Sequence, residues 1–162
     1  MLHRYLYLIS LALCTLYCLA RGGAPERIGI GIVVAGTLVT WAVWSPLAGR
    51  FRSLEEGVFI VDVAVLLAMV GLALFANRLW PILVAGLQGA AICIHIIKIT
   101  APDVLPFGYA IGLAIWGYIM LIVLAYGTHQ HRRRLTTHGA DSSWSSFSHR
   151  SPPSRRPTGP HD

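Results

Sequence analysis

The feature that most constrains this chain is a repeated apolar run, close to the length that crosses a bilayer, occurring five times in 162 residues. A helix rises 1.5 Å per residue, so roughly 20 apolar residues are needed to traverse the hydrocarbon core. The runs occupy about 5–20, 28–47, 58–76, 80–99 and 105–126. The connectors between them carry residues that end helices: Gly22, Gly23 and Pro25, then Pro46 and Gly49, then Pro102 and Pro106. Pro81 falls one residue into its run, where its missing N–H costs nothing because that position has no intrahelical acceptor. Backbone polar groups have no water partners in lipid, so a spanning segment must satisfy them internally as a helix. The expected fold class is all-α, an integral membrane bundle of five transmembrane helices joined by short loops.

Composition narrows the choice of solvent. The chain is 55% hydrophobic and only 12% charged, against about 25% charged residues in ordinary soluble domains. Its mean hydropathy is +0.61. Of 13 Lys and Arg, six lie beyond His129 (Arg132, Arg133, Arg134, Arg150, Arg155 and Arg156), so the net charge of +6 belongs largely to the tail. Arginines clustered beside a span serve topology, and no nucleic-acid partner is expected. The bilayer itself is the expected partner, with other membrane proteins or a second copy of the chain beyond it. Three cysteines, Cys14, Cys18 and Cys93, all fall in apolar runs without a Cys-x-x-Cys pair. They read as small buried hydrophobes, neither a disulfide framework nor a zinc site. Leu13 stands where a lipoprotein cleavage box before Cys14 needs a small residue.

Orientation follows from the basic residues. With five spans and the tail inside, Arg21, Arg27, Arg78 and Arg132–Arg134 lie in the cytoplasm, while Arg4, Arg50, Arg52 and Lys98 lie outside. The N-terminus is then outside and the C-terminus cytoplasmic. The rival reading makes 5–20 a cleaved signal peptide, which leaves four spans and strands the triple arginine on the wrong side. Trp41, Trp44, Trp80 and Tyr126 fall at run ends, where interfacial aromatics belong, whereas Trp116 falls mid-span. From His129 onward the chain is rich in Ser, Pro and Arg and almost free of aliphatic residues. Residues 129–162 are therefore expected to form a disordered basic tail.

An ionised side chain inside a span costs about 2.5–3.5 kcal/mol on insertion scales, so each one calls for a partner. Asp62 lies in the third run, and Gln88, His95 and Lys98 share one face of the fourth. Counting the helical rise from the outer ends places Asp62 and His95 each about 6 Å deep on the same side. The short Asn77-Arg78-Leu79 connector makes the two helices antiparallel neighbours. Asp62 is therefore expected to meet His95, Lys98 or both. Two chemistries fit this cluster: an interhelical clamp, or a proton- or ion-handling group open to the outer side.

Sharper chemistries are not supported. A haem between helices needs two axial histidines at membrane depth, and only His95 qualifies. No catalytic constellation, phosphate loop or metal-ligand spacing appears, so no cofactor, metal or enzymatic activity is expected. The tail histidines (His129, His131, His138, His149 and His161) are too scattered for a defined metal site. Close packing is marked by Gly108-x-x-x-Gly112 in the fifth run and by Ala85-x-x-x-Gly89 with Gly86-x-x-x-Ala90 in the fourth. Gly31-x-x-x-Ala35 in the second repeats the theme.

Three stretches carry a family likeness: Arg21 through Ile28, Asn77-Arg78-Leu79-Trp80-Pro81, and Ala85-Gly86-Leu87-Gln88 onward to His95. Across residues 1–128 the chain resembles a group of uncharacterised small polytopic inner-membrane proteins of alphaproteobacteria. The resemblance implies placement in a bacterial inner membrane and no particular activity. The functional expectation is a non-enzymatic accessory or scaffold component of a membrane assembly. The alternative is a small transporter or proton-coupled carrier using Asp62, His95 and Lys98.

Overall fold

The computed structural model describes residues 2–43, 56–100, 106–139, 141 and 143–145; within these, the side chains at 2–3, 56, 98–100, 106–114 and 138 are left undescribed. Among the described residues the chain forms five helices: α1 (Leu2–Arg21), α2 (Ala24–Val43), α3 (Glu56–Phe75), α4 (Trp80–Thr100) and α5 (Pro106–His138). Each helix packs on the next. α5 returns to α1 and also touches α2, so the five close into a ring with α2 and α5 meeting across it. The α1–α2 and α3–α4 links, of two and four residues, make those pairs antiparallel neighbours.

Three of the helices are long and apolar enough to cross a membrane: Ala24–Val43, Gly57–Phe75 and Trp80–Ile97. After Glu56 at its start, α3 is apolar all round apart from Asp62, and Ile60, Leu67, Leu74 and Phe75 project outward from the bundle. A helix with no polar face fits a lipid surround rather than water. In α1, charged residues at both ends (Arg4 and Arg21) leave an apolar run of only 16 residues, 5–20.

Two boundaries differ from the expected ones, each for a local reason. α2 begins at Ala24, a full turn before Ile28. The Glu26 carboxylate reaches back to accept the Gly23 N–H at 3.0 Å, which is the reciprocal half of a capping box. α5 runs to His138, past the expected end at Tyr126 and into the stretch assigned to a disordered tail. Nothing from His129 to His138 is a proline or glycine, and arginine is a good helix former. The helix stops at the first residue suited to the left-handed conformation, Gly139 (φ 70°), whose N–H bonds the Leu135 carbonyl at 3.0 Å. Beyond it the chain folds back onto the α3–α4 turn. The Asn77 N–H bonds the Ser143 carbonyl (3.2 Å), the Ser145 N–H bonds the Phe75 carbonyl (3.0 Å), and Ala76 and Trp144 pair antiparallel. The tail expected over 129–162 is thus ordered in part; 146–162 lie outside the described residues.

The core runs along the ring's axis, with Cys18 from α1, Ile30 from α2, Met69 from α3, Val84 from α4 and Leu124 from α5 all sealed from the surface. Close approach occurs at glycines other than those expected. A Cβ at Gly29 would strike the Trp80 ring, one at Gly36 would meet Val65 at 2.7 Å, and one at Gly127 would meet Trp80 at 2.5 Å. At Gly31, Gly86 and Gly89 a Cβ would meet nothing within 4 Å among the described residues, so their small-residue spacings bring no described helices together there. The surroundings of Gly108 and Gly112 lie outside the described side chains. Ala85 is buried in the core.

Candidate functional site

Two polar clusters sit at opposite ends of the bundle. Asp62 is 13 residues before the end of α3, so at 1.5 Å per residue the clusters are about 20 Å apart.

The Asp62 cluster joins α3 to α4. The Gln88 amide donates to Asp62 Oδ1 at 2.9 Å and to the Asp62 backbone carbonyl at 3.2 Å. His95 Nε2 lies 2.8 Å from Asp62 Oδ2, and with the carboxylate ionised it is the Nε2–H that donates. Both carboxylate oxygens are therefore engaged, each by a residue of α4. Gln88 and His95 reach Asp62 together because seven residues separate them, two turns of one face. Phe59, one turn before Asp62 on α3, places its ring edge-on to the imidazole at 5.9 Å between centroids. His95 is fully buried, while the Asp62 side chain keeps 22% of its surface open. The structure thus brings together Asp62, Gln88 and His95; the Lys98 side chain lies outside the described residues.

The cluster around Arg78 was not anticipated from the sequence. Glu26, at the start of α2, is completely buried. One of its oxygens accepts the Gly23 N–H, and the other accepts the Trp80 indole N–H at 3.0 Å and Arg78 Nε at 3.3 Å. The far side of the Arg78 guanidinium grips Asp141 through two parallel bonds, Nη1 to Oδ1 at 3.0 Å and Nη2 to Oδ2 at 2.7 Å. That bidentate fork is the strongest geometry an arginine makes with a carboxylate. His131 Nδ1 is 2.7 Å from Asp141 Oδ2 and 3.2 Å from Arg78 Nη2. A guanidinium can only donate, so the shared acceptor is Asp141, and the imidazole Nδ1–H donates to it. Arg134 stands farther off, 3.9 Å from Asp141. One connector residue, Arg78, thereby ties the start of α2 to the segment after α5.

Trp80 is the mechanical centre of this end. The sequence placed it at the interface, yet it is buried, its ring against Gly29 of α2 and Gly127 of α5 and its N–H spent on Glu26. An indole with its one polar atom satisfied has no reason to seek the headgroups. Arg4 does stack on Trp41 at 4.6 Å, where the start of α1 meets the end of α2.

The thiols divide. Cys14 and Cys18, one turn apart, are buried with their sulfurs 3.9 Å from each other, facing the Leu121 carbonyl and the Thr128 hydroxyl of α5. Cys93 is exposed, contrary to the expectation of a buried small hydrophobe, because its position on α4 turns away from the ring. The Trp116 indole N–H is buried with no hydrogen-bond acceptor among the described residues.

Signals for the Arg78 cluster existed. Glu26 lies three residues after a glycine that opens a helix, and Gly139 marks the true end of α5. The pairing itself spans 52 residues from Glu26 to Arg78 and 63 from Arg78 to Asp141, which no local spacing reveals. Among the described residues no group of three or more His, Cys, Asp or Glu side chains is arranged to hold a metal ion. Comparison of the chain with protein-family models, with curated proteins and with solved structures gives no match.

Proposed function

We propose that this chain is a five-span inner-membrane bundle, N-terminus outside and C-terminus cytoplasmic, acting as a non-enzymatic accessory or scaffold component of a membrane assembly. The observation that carries the reading is the state of Asp62. Its two oxygens are taken up by Gln88 and His95 of the neighbouring helix, which is what a clamp requires. A burial cost offset in this way fixes α3 against α4 without needing a transported species. The Arg78 cluster supports the same reading, since Glu26 and Arg78 are spent on holding α2, α4 and the chain after α5 together. The inner-membrane assignment is an expectation carried by the family resemblance.

A second reading is kept by one specific observation: the Asp62 side chain retains an open side while its partner His95 is sealed. A proton or ion carrier would need such an approach. Reconstitution into proteoliposomes separates the two. The clamp predicts that imposed proton or sodium gradients decay at the rate of protein-free vesicles, in wild type and Asp62→Asn alike. A gradient-dependent flux that Asp62→Asn abolishes, with the variant still folded, overturns the accessory reading in favour of the carrier.

A further inference from the structure

We propose that the notch around Arg78 is a docking site for an extended acidic segment of a partner protein, occupied in this structure by the chain's own Asp141 and Ser143–Ser145. This deepens the accessory reading above by naming the chemistry of its partner, but its test does not depend on that reading.

The notch is made by the α3–α4 turn, the start of α2 and the last turns of α5. Its recognition elements are few. The Arg78 guanidinium, held from behind by Glu26, presents its outer edge to one carboxylate and takes it bidentately. The His131 imidazole donates to that same carboxylate. Two main-chain groups of the turn, the Asn77 N–H and the Phe75 carbonyl, pair with the backbone two and four residues after it. Ser145 adds its hydroxyl to the Phe75 carbonyl at 3.0 Å, and the Trp144 ring remains exposed. Nothing in this set requires the occupant to be covalently attached. Main-chain pairing is indifferent to sequence, and specificity rests on a carboxylate at the leading position, as in other strand-addition sites.

Charge favours the same class of occupant. Glu26 neutralises one side of Arg78, leaving its other side, His131 and the outward Arg132, Arg133, Arg134, Arg21 and Arg27 to draw an anionic segment towards the notch. The chain's own segment follows α5 after a single glycine turn, so it fills the notch at the high effective concentration of a short tether, in the millimolar range. A free partner must therefore displace it, and the intact chain is self-blocked.

The test uses the purified chain in phosphatidylcholine nanodiscs and a fluorescent peptide copying residues 141–145, beside the same peptide with Asn in place of its Asp. Wild type should give no saturable binding. A chain ending at Gly139 should bind the acidic peptide at least tenfold more tightly than the Asn peptide, and Arg78→Gln in that background should erase the difference. Because the shortened chain loses contacts, full-length Asp141→Asn/Trp144→Ala serves as a second acceptor and should bind likewise. If neither unblocked form binds, or if both peptides bind alike, the proposal is overturned. It is overturned too if nanodiscs containing phosphatidylglycerol abolish peptide binding, because the guanidinium then serves lipid phosphate.

Discussion

Gly29 and Gly127 bracket the Trp80 ring, and a single methyl group at either has no room while the indole keeps its bond to Glu26. Gly29→Ala and Gly127→Ala should each destabilise the bundle by about 1–3 kcal/mol, the usual range for overpacking a core. Gly31→Ala is the control, since a Cβ there meets nothing. It should stay within about 0.5 kcal/mol of wild type or gain slightly from helix propensity. Unfolding in mixed micelles of increasing SDS content reads all three. At the opposite end of the bundle, Asp62→Ala and His95→Leu should not add. Their coupling in a double-mutant cycle should be near 0.6 kcal/mol, the mean for interhelical polar contacts in membranes, and strict additivity would refute the clamp. This pairing was legible in the sequence, because a short connector and helical rise suffice to bring Asp62 level with His95. Glu26 was not. It stood among basic residues whose natural reading is topological, and its partners lie in other connectors.

Helices are where sequence and structure agree most closely. α3 and α4 fall within two residues of the expected runs at each end, because their boundaries are set by Pro81 and by a sharp change in polarity. α5 departs because apolarity and helicity are different properties. The apolar run stops at Tyr126, but the backbone continues until Gly139 allows it to turn. The consequence for truncation is specific. Ending the chain after Thr136 removes Asp141 and with it the bidentate carboxylate on Arg78, so thermal stability in detergent should fall. Breaking a buried pair by removing one partner typically costs about 3–5 kcal/mol, and here the opening of the end to water reduces that. Ending it after Ser145 keeps Asp141 and the pairing with Ala76, and should leave the melting temperature unchanged. Equal stability of the two truncations would show that the Asp141 contact contributes nothing.

As a whole, the bundle depends on α1 as much as on any later helix. Leu11, Cys14 and Cys18 belong to the common core, Tyr7 meets Tyr118 of α5 edge-on at 5.5 Å, and its hydroxyl reaches Thr37 of α2 at 3.4 Å. Cleavage of residues 1–20 would open that core, so the mature protein should retain them by intact mass, and loss of about 20 residues would restore the signal-peptide reading. Alkaline phosphatase fused after Ser145 should be inactive, as the proposed cytoplasmic C-terminus requires, and a strongly active fusion would reverse the orientation. The wedged Trp80 ring carries a mechanical implication for the same architecture. Three helices share one contact point near the Arg78 end, which makes that point a fulcrum and their opposite ends lever arms. From Gly29 to the end of α2 the arm is about 21 Å, so a tilt of about 10° at the fulcrum displaces its tip by about 4 Å. Any breathing of the bundle is therefore amplified at the Asp62 end and damped at the Trp80 end.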